Sequence, residues 1–311
     1  MHGRWGKRLL VTVAIEADDP AAVGDTGSYR SLDGLDRLHA LCREHGVRPT
    51  YLLTYSAAGE GRCVERLTTW RAEAEIGAHL HPEEVPPIAA DEAGVTTLRP
   101  RDVAPERLRE KMRNLVERVT EAMGEPPTSY RAGFLDMTPV QAAELPKLGI
   151  LADSSLGPLD KTREGYRYVR ASMAPYELDG ADPCRVGDSG VVEVPVTSVF
   201  RRPFPRGLWV AAPGRVRGLL RRLGLAELLR FRPAMASAEE LLTVCRRTER
   251  MGVPAVLSIH SNELAPGTSR SVPTEAASED YFESLRRVFA FARDAGWSAP
   301  TLTELAREAL R

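Results

Sequence analysis

Short apolar runs rich in β-forming residues recur along the chain, at 9–15, 50–55, 75–80, 128–131, 150–153, 191–196 and 255–260. Helical periodicity fills the intervals between them. Leu32, Leu35, Leu38 and Leu41 form one stripe before Gly46, and Leu108, Met112, Leu115 and Val119 form another before Gly124. Strand followed by helix, repeated, predicts a parallel sheet covered by helices. With about seven such units and no linker-like change of composition, residues 1–311 are expected to form a single (β/α) barrel domain, with an open doubly wound sheet as the alternative. No glycine-rich phosphate loop follows any of these strands, which argues against nucleotide chemistry.

Three stretches interrupt the rhythm. Residues 82–103, rich in proline and acids, and residues 154–190 are long connections at strand ends, where loops shape or cover sites. Residues 201–232 carry Arg201, Arg202, Arg206, Arg215, Arg217, Arg221, Arg222, Arg230 and Arg232 against the single acid Glu227. Leu219, Leu220, Leu223, Leu225, Leu228 and Leu229 make part of this stretch a basic amphipathic helical insertion. It is suited to a phosphorylated ligand, an acidic partner or a membrane surface, or simply to a solvated helix lying on the barrel.

Bulk properties narrow the partners. The 311 residues are 43% hydrophobic and 27% charged, enough for a large core, and the net charge of -1 argues against nucleic acid or an anionic membrane as the main partner, leaving room only for local patches. Cys42, Cys63, Cys184 and Cys245 have neither zinc-knuckle nor disulfide-framework spacing and read as reduced thiols. The apolar run after Arg4, Lys7 and Arg8 is too short for a signal peptide, and no segment is long enough to span a bilayer. The expected location is therefore cytoplasmic and the expected substrate a soluble small molecule. Nothing in the sequence sets the oligomeric state.

The chemistry concentrates at two strand ends. In Glu75-Ile-Gly-Ala-His-Leu-His-Pro82, an extended strand projects His79 and His81 from one face, so both imidazoles can meet one cation. By the same alternation Thr12, Ala14 and Glu16 share a face, which puts Glu16 at the carboxyl end of the first strand, where barrels keep their chemistry. Two histidines and a carboxylate leave coordination positions open, as a hydrolytic metal requires. A hydrogen-bonded core histidine pair and a turn-capping glutamate are the structural alternatives.

With these residues in order, the chain resembles the polysaccharide deacetylase superfamily, the nodulation-type deacetylases, in a branch with His-Leu-His-Pro. The landmarks are Val11-Thr-Val-Ala-Ile-Glu16, Thr50-Tyr-Leu-Leu-Thr-Tyr55, the His79/His81 strand, Tyr130-Arg-Ala-Gly133 and Leu257-Ser-Ile-His-Ser261. The resemblance implies a distorted barrel of seven or eight β/α units and hydrolysis of an N-acetyl or other N-acyl group from an amino-sugar-containing small molecule. It implies a divalent metal, zinc with cobalt or nickel as alternatives, on Glu16, His79 and His81. It also implies Arg131 as the residue orienting a catalytic carboxylate, His260 as general acid toward the leaving amine, and Tyr51 and Asn262 as substrate contacts.

Two features depart from that pattern. Many relatives have their histidines four apart, where this chain has them two apart and Glu83 at the four-residue position, as an extra ligand or base or a solvated loop acid. The family's base is also missing. Where the family places a water-activating aspartate, two residues before the carboxylate ligand, this chain has Ala14. Three explanations stay open: a mutated form, a homologue that has lost hydrolysis and binds a carbohydrate or metabolite, or an enzyme with another base among Asp18, Asp19 and Glu83. Hydrolysis of a non-sugar amide or cyclic imide is a further alternative.

Overall fold

A computed structural model describes residues 4–159, 165 and 167–311. The repeated apolar runs become strands β1 (Leu9–Ile15), β2 (Thr50–Leu53), β3 (Glu75–Leu80), β4 (Ser129–Ala132) and β5 (Ala152–Asp153). Further along come β6 (Tyr176–Glu177), β7 (Val192–Glu193), β8 (Ser198–Phe200), β9 (Leu228–Arg230) and β10 (Ala255–His260). Eight of them form one sheet in the order β10-β1-β2-β3-β4-β5-β7-β6, parallel throughout except for the β6–β7 pair. The expected distorted barrel is present, and β6, β8 and β9 are strands that periodicity did not announce.

Among the described residues the sheet does not close, because β10 and β6 are not paired with each other. The stretch between β7 and β10 bridges the opening beside β10. Thr197 N donates to Val256 O at 3.4 Å, Phe231 N to Thr197 O at 3.0 Å, and Ser258 N to Phe231 O at 3.1 Å. These bonds satisfy backbone groups that an edge strand leaves exposed.

Helices α1 (Pro20–Val23), α2 (Leu32–Glu44), α3 (Gly61–Trp70), α4 (Pro105–Met123) and α5 (Pro139–Glu144) precede the long connection. Then follow α6 (Arg206–Ala211), α7 (Gly214–Arg222), α8 (Ala238–Met251), α9 (Glu275–Asp294) and α10 (Leu302–Ala309). Gly46 and Gly124, the predicted helix terminators, adopt φ of 66° and 77°, a left-handed conformation that stops a helix without steric cost. The basic stretch is helical only to Arg222. Gly224 at φ 69° ends it, and Leu228 and Leu229, expected on the helix, lie in β9.

Strand alternation sorts the core into two faces. Outward residues such as Val11, Val13, Tyr51 and Leu257 pack with the stripes Leu32, Leu35, Leu38 and Leu108, Met112, Leu115. Inward residues Leu10, Leu52, Val192 and Val256 form an apolar floor, capped by Leu302, Leu305 and Ala306 of α10. Above the floor the interior turns polar, and at its open end stand the residues of the candidate site.

Candidate metal centre at the open end of the barrel

β1 delivers Glu16 one residue beyond its end, and β3 delivers His79 and, just past its end, His81. Ligand atoms of these three residues all lie within 4.8 Å of one another, and it is the one such cluster among the described residues. His79 Nε2 stands 3.2 Å from His81 Nε2, which is 3.5 Å from Glu16 Oε2. The opposite ring nitrogens fix the tautomers. His79 Nδ1 lies 3.1 Å from the carbonyl of Arg131, and His81 Nδ1 lies 3.2 Å from Glu83 Oε1. Both partners only accept, so both Nδ1 atoms carry hydrogen and both Nε2 lone pairs face one point.

Two facing lone pairs repel unless a proton or a cation lies between them. Nitrogen–metal bonds of roughly 2.0–2.1 Å at a tetrahedral angle put two donors about 3.3 Å apart, close to the spacing found. The charges agree with this. Burial opposes a charge on His81, but Glu83, Glu16 and Glu84 outweigh it and raise its pKa to about 9. Burial raises Glu16 to about 7 despite His81 and Arg232. The negative field that holds a proton on His81 also favours a divalent cation in its place. These residues fit a zinc-type ion.

A floor of small and polar groups holds the ligands. A Cβ on Gly77 would stand 2.3 Å from Ser129 Oγ, and one on Gly133 would stand 2.4 Å from the carbonyl of Leu80, so both approaches require glycine. Phe134 and Leu135, which follow Gly133, adopt φ of 58° and 52°, a strained conformation for side-chain-bearing residues. That turn sets the Phe134 ring edge-on to His81, 4.9 Å between centroids. Phe134 is 39% exposed and forms an aromatic wall beside the metal donors.

His260, at the end of β10, faces Glu16, with Nδ1 3.1 Å from Oε1. The hydrogen bond to that nitrogen comes from Arg232 Nη2 at 2.9 Å, so Nε2 carries the hydrogen. Burial, then Arg232, His79 and Arg131, hold His260 well below the ordinary imidazole range. This qualifies the expected general acid: His260 stands as a neutral imidazole beside a guanidinium, not as a stored imidazolium. Arg232 is itself fixed through Nε to Glu263 Oε1 at 3.1 Å, and Tyr281 Oη donates to the other Glu263 oxygen at 3.1 Å. Sequence reasoning counted Arg232 only among a run of arginines, and nothing local marked it as a site residue.

Two expectations change in the fold. Arg131 is buried below the metal donors but touches no carboxylate. It donates to Ser154 O at 2.8 Å, Thr12 Oγ1 at 2.8 Å and Ser154 Oγ at 3.0 Å, so it orients no catalytic acid here. Tyr51 lies outside the site, because its position on β2 faces the helices. It is fully buried, with its hydroxyl 3.0 Å from His39 Nδ1, and is a core residue rather than a substrate contact. Ala14 stands as the sequence implied: it is buried in the barrel wall beside His260, its register partner, and brings no acid to the site.

Asn262 lines the cleft, with Nδ2 3.4 Å from Ala17 O. Of the alternative bases, Asp18 is spent on the chain around it, accepting from Ser28 Oγ at 2.7 Å, Arg30 N at 2.8 Å and Ser31 N at 3.2 Å. Asp19 caps α1 and pairs with Arg270. Glu83 alone among them touches a metal donor, and its second oxygen is buried without a partner.

An inner cavity of about 290 Å³ lined by Glu16, His79, His81, Arg131 and His260 sits beneath a cleft of about 820 Å³. Both contain Glu16, His81, Phe134, Arg232 and His260, and the cleft adds Glu83, Glu84, Asn262 and residues 95–97 of the long loop. A cleft of that size accommodates a small organic ligand.

The same architecture occurs in solved structures. A protein described as a polysaccharide deacetylase from Mycobacterium smegmatis superposes with TM-score 0.60 at 19% identity, over 97% of this chain and 90% of that one. One from Pseudomonas aeruginosa PAO1, also described as a polysaccharide deacetylase, gives 0.54 at 14% identity, over 99% and 93%. The chain has the polysaccharide deacetylase fold. The allantoinase PuuE shares it, at TM-score 0.55 and 13% identity over 99% of this chain and 92% of that one. No family model matches the sequence, and no curated protein matches it either. At these identities the likeness speaks to architecture, and the chemistry rests on the residues themselves.

Proposed function

We propose that this chain is a divalent-metal-dependent amide hydrolase that removes an N-acetyl group from an amino-sugar-containing small molecule, with zinc as the metal and cobalt or nickel able to replace it. The observation that carries this is the convergence of Glu16 and two Nδ1-H histidines at the open end of the barrel, with His260 facing them. A bound cation supplies Lewis acidity toward the amide carbonyl and its attacking water.

The chain's own residues divide the remaining work. Glu83 keeps the hydrogen on His81 Nδ1, and the Arg131 carbonyl does the same for His79. Arg232 fixes the His260 tautomer, leaving the neutral ring's Nε2–H as a hydrogen-bond donor to the departing nitrogen; the ring must first take up a proton before it can protonate the amine. Phe134 offers a ring face for a sugar, and Asn262 a polar contact at the cleft wall. The proposed setting is the cytoplasm; no described helix is long and apolar enough to cross a membrane.

Ala14 favours a second reading, a homologue that binds a carbohydrate or metabolite without hydrolysing it, and the shared fold of an allantoinase keeps non-sugar amides and cyclic imides within the substrate screen. Acetate release from N-acetylated sugars is to be followed with zinc, cobalt and nickel, for the chain as it stands and for Ala14→Asp. Slow turnover that rises by about 10²–10⁴-fold on restoring the acid is the expected result. No turnover in either form, alongside calorimetric sugar binding, favours the binding protein. No gain with any substrate or metal removes the idea that Ala14 is an impairment.

A further inference from the structure

The helical hairpin of α6 and α7 has no part in the metal centre, yet it holds the densest exposed apolar surface among the described residues. Leu208, Val216, Leu219, Leu223 and Leu225 are 64%, 38%, 53%, 61% and 55% exposed. They are not surplus core. The inward face of the hairpin is already complete, with Trp209 and Ala226 buried against Phe200 and Leu159, and Arg217 tying the two helices by donating to the carbonyls of Trp209 and Val210. Leucines remain outside a finished core, on a rigid platform.

Arginines are interleaved with them. On α7 and the turn after it, Arg215, Leu219, Arg222 and Leu223 recur at helix spacing on the outward face, with Val216 beside them. The side chains of Arg202, Arg215 and Arg222 form no hydrogen bond or ion pair among the described residues. The single acid of the stretch, Glu227, is already paired with Arg201. Aliphatic side chains and unneutralised guanidinium groups on one helix face match the boundary of an anionic bilayer, where the leucines enter the acyl region and the arginines reach phosphates. A protein interface core disfavours charges, and burying these arginines there would require acids that the hairpin does not carry.

We infer that the α6–α7 hairpin docks this protein peripherally on an anionic lipid surface, through Leu208, Leu219 and Leu223 together with Arg215 and Arg222. The inference does not depend on the proposed hydrolase activity. The net charge of -1 leaves no general attraction to such a surface, so binding depends on this local patch.

Co-sedimentation of the full chain with vesicles of phosphatidylcholine alone, or with phosphatidylglycerol added, tests it. Binding is expected only with the anionic lipid and is expected to weaken at high salt. Arg215→Gln with Arg222→Gln should weaken it roughly 30-fold, at about one phosphate-scale contact per arginine. Leu219→Ser with Leu223→Ser should abolish it while the thermal transition and the metal content stay those of the parent. Equal binding to both vesicles, no binding to either, or leucine variants that still bind would overturn the inference. So would a dimer in solution that the leucine variants convert to monomer, because the face would then be a contact between two copies.

Discussion

Glu83 illustrates how one side chain changes standing between sequence and structure. In the sequence it is an acid in a proline-rich loop; in the fold it is the hydrogen-bond acceptor of His81 in the candidate metal centre, its other oxygen buried and unpartnered. A carboxylate behind a ligating imidazole raises its basicity and locks its ring. Glu83→Gln retains an acceptor but removes the charge, and it is expected to lower zinc affinity about 10–100-fold in a chelator competition, with the fold unchanged. Arg131 makes the opposite point. Its type and place were legible, but its partners are hydroxyls and a carbonyl, because position 14, which shares the interior face with Thr12, bears a methyl group.

At the scale of elements, strand alternation does most of the positioning. Residues two apart on β1 and β3 face the interior together, so Glu16, His79 and His81 meet without any long-range adjustment. The loop after β3 needs a separate anchor. Lys111, fully buried on α4, donates to the carbonyls of Pro82 and Val85 at 2.9 Å and 2.6 Å and pairs with Glu92 at 3.0 Å. These contacts hold the turn that presents Glu83 and Glu84. Lys111→Met leaves two carbonyls unmet, while Glu92 keeps Arg107. A loss of about 2–4 kcal/mol is expected in urea unfolding, together with faster proteolysis within residues 82–103. The helix stripes of α2 and α4 were legible because they repeat over several turns. β8 and β9 were not, since strands of three residues with mixed polarity carry too little period to be told from helix.

Stability of the whole molecule carries a cost placed away from the site. Asp153 and Glu193 are partners across β5 and β7, both fully buried, and their carboxyl groups hydrogen-bond each other when one carries a proton. Burial, then the neighbouring Asp153, pushes Glu193 well above the ordinary carboxylate range, and burial likewise raises Asp153. The folded state therefore holds a proton that the unfolded chain gives up above about pH 4.5, so stability falls as pH rises from there toward the raised folded value. Glu193→Gln supplies an amide N–H for Asp153 and removes that penalty. Its melting temperature should exceed the parent's at neutral pH, by about 1–3 kcal/mol of stability, with the gain shrinking as pH falls toward 4.5 in calorimetric scans. A variant equally or less stable across that range would show that the protonated pair carries no such penalty.

The sequence by itself determined what short-range periodicity can encode: the strand–helix alternation, the helix-ending glycines, and the shared face of His79 and His81 and of Glu16. Their spacings are set by backbone geometry alone. Only the tertiary structure decided which residues from distant strands complete the site. Arg232 reaches His260 because the β7-to-β10 excursion bridges the opening beside β10, and Tyr51 turns away because the helix layer claims its face. It also decided that the leucines of 208–225 have no core left to enter. Burial is a property of the packed whole, and no window of sequence contains it.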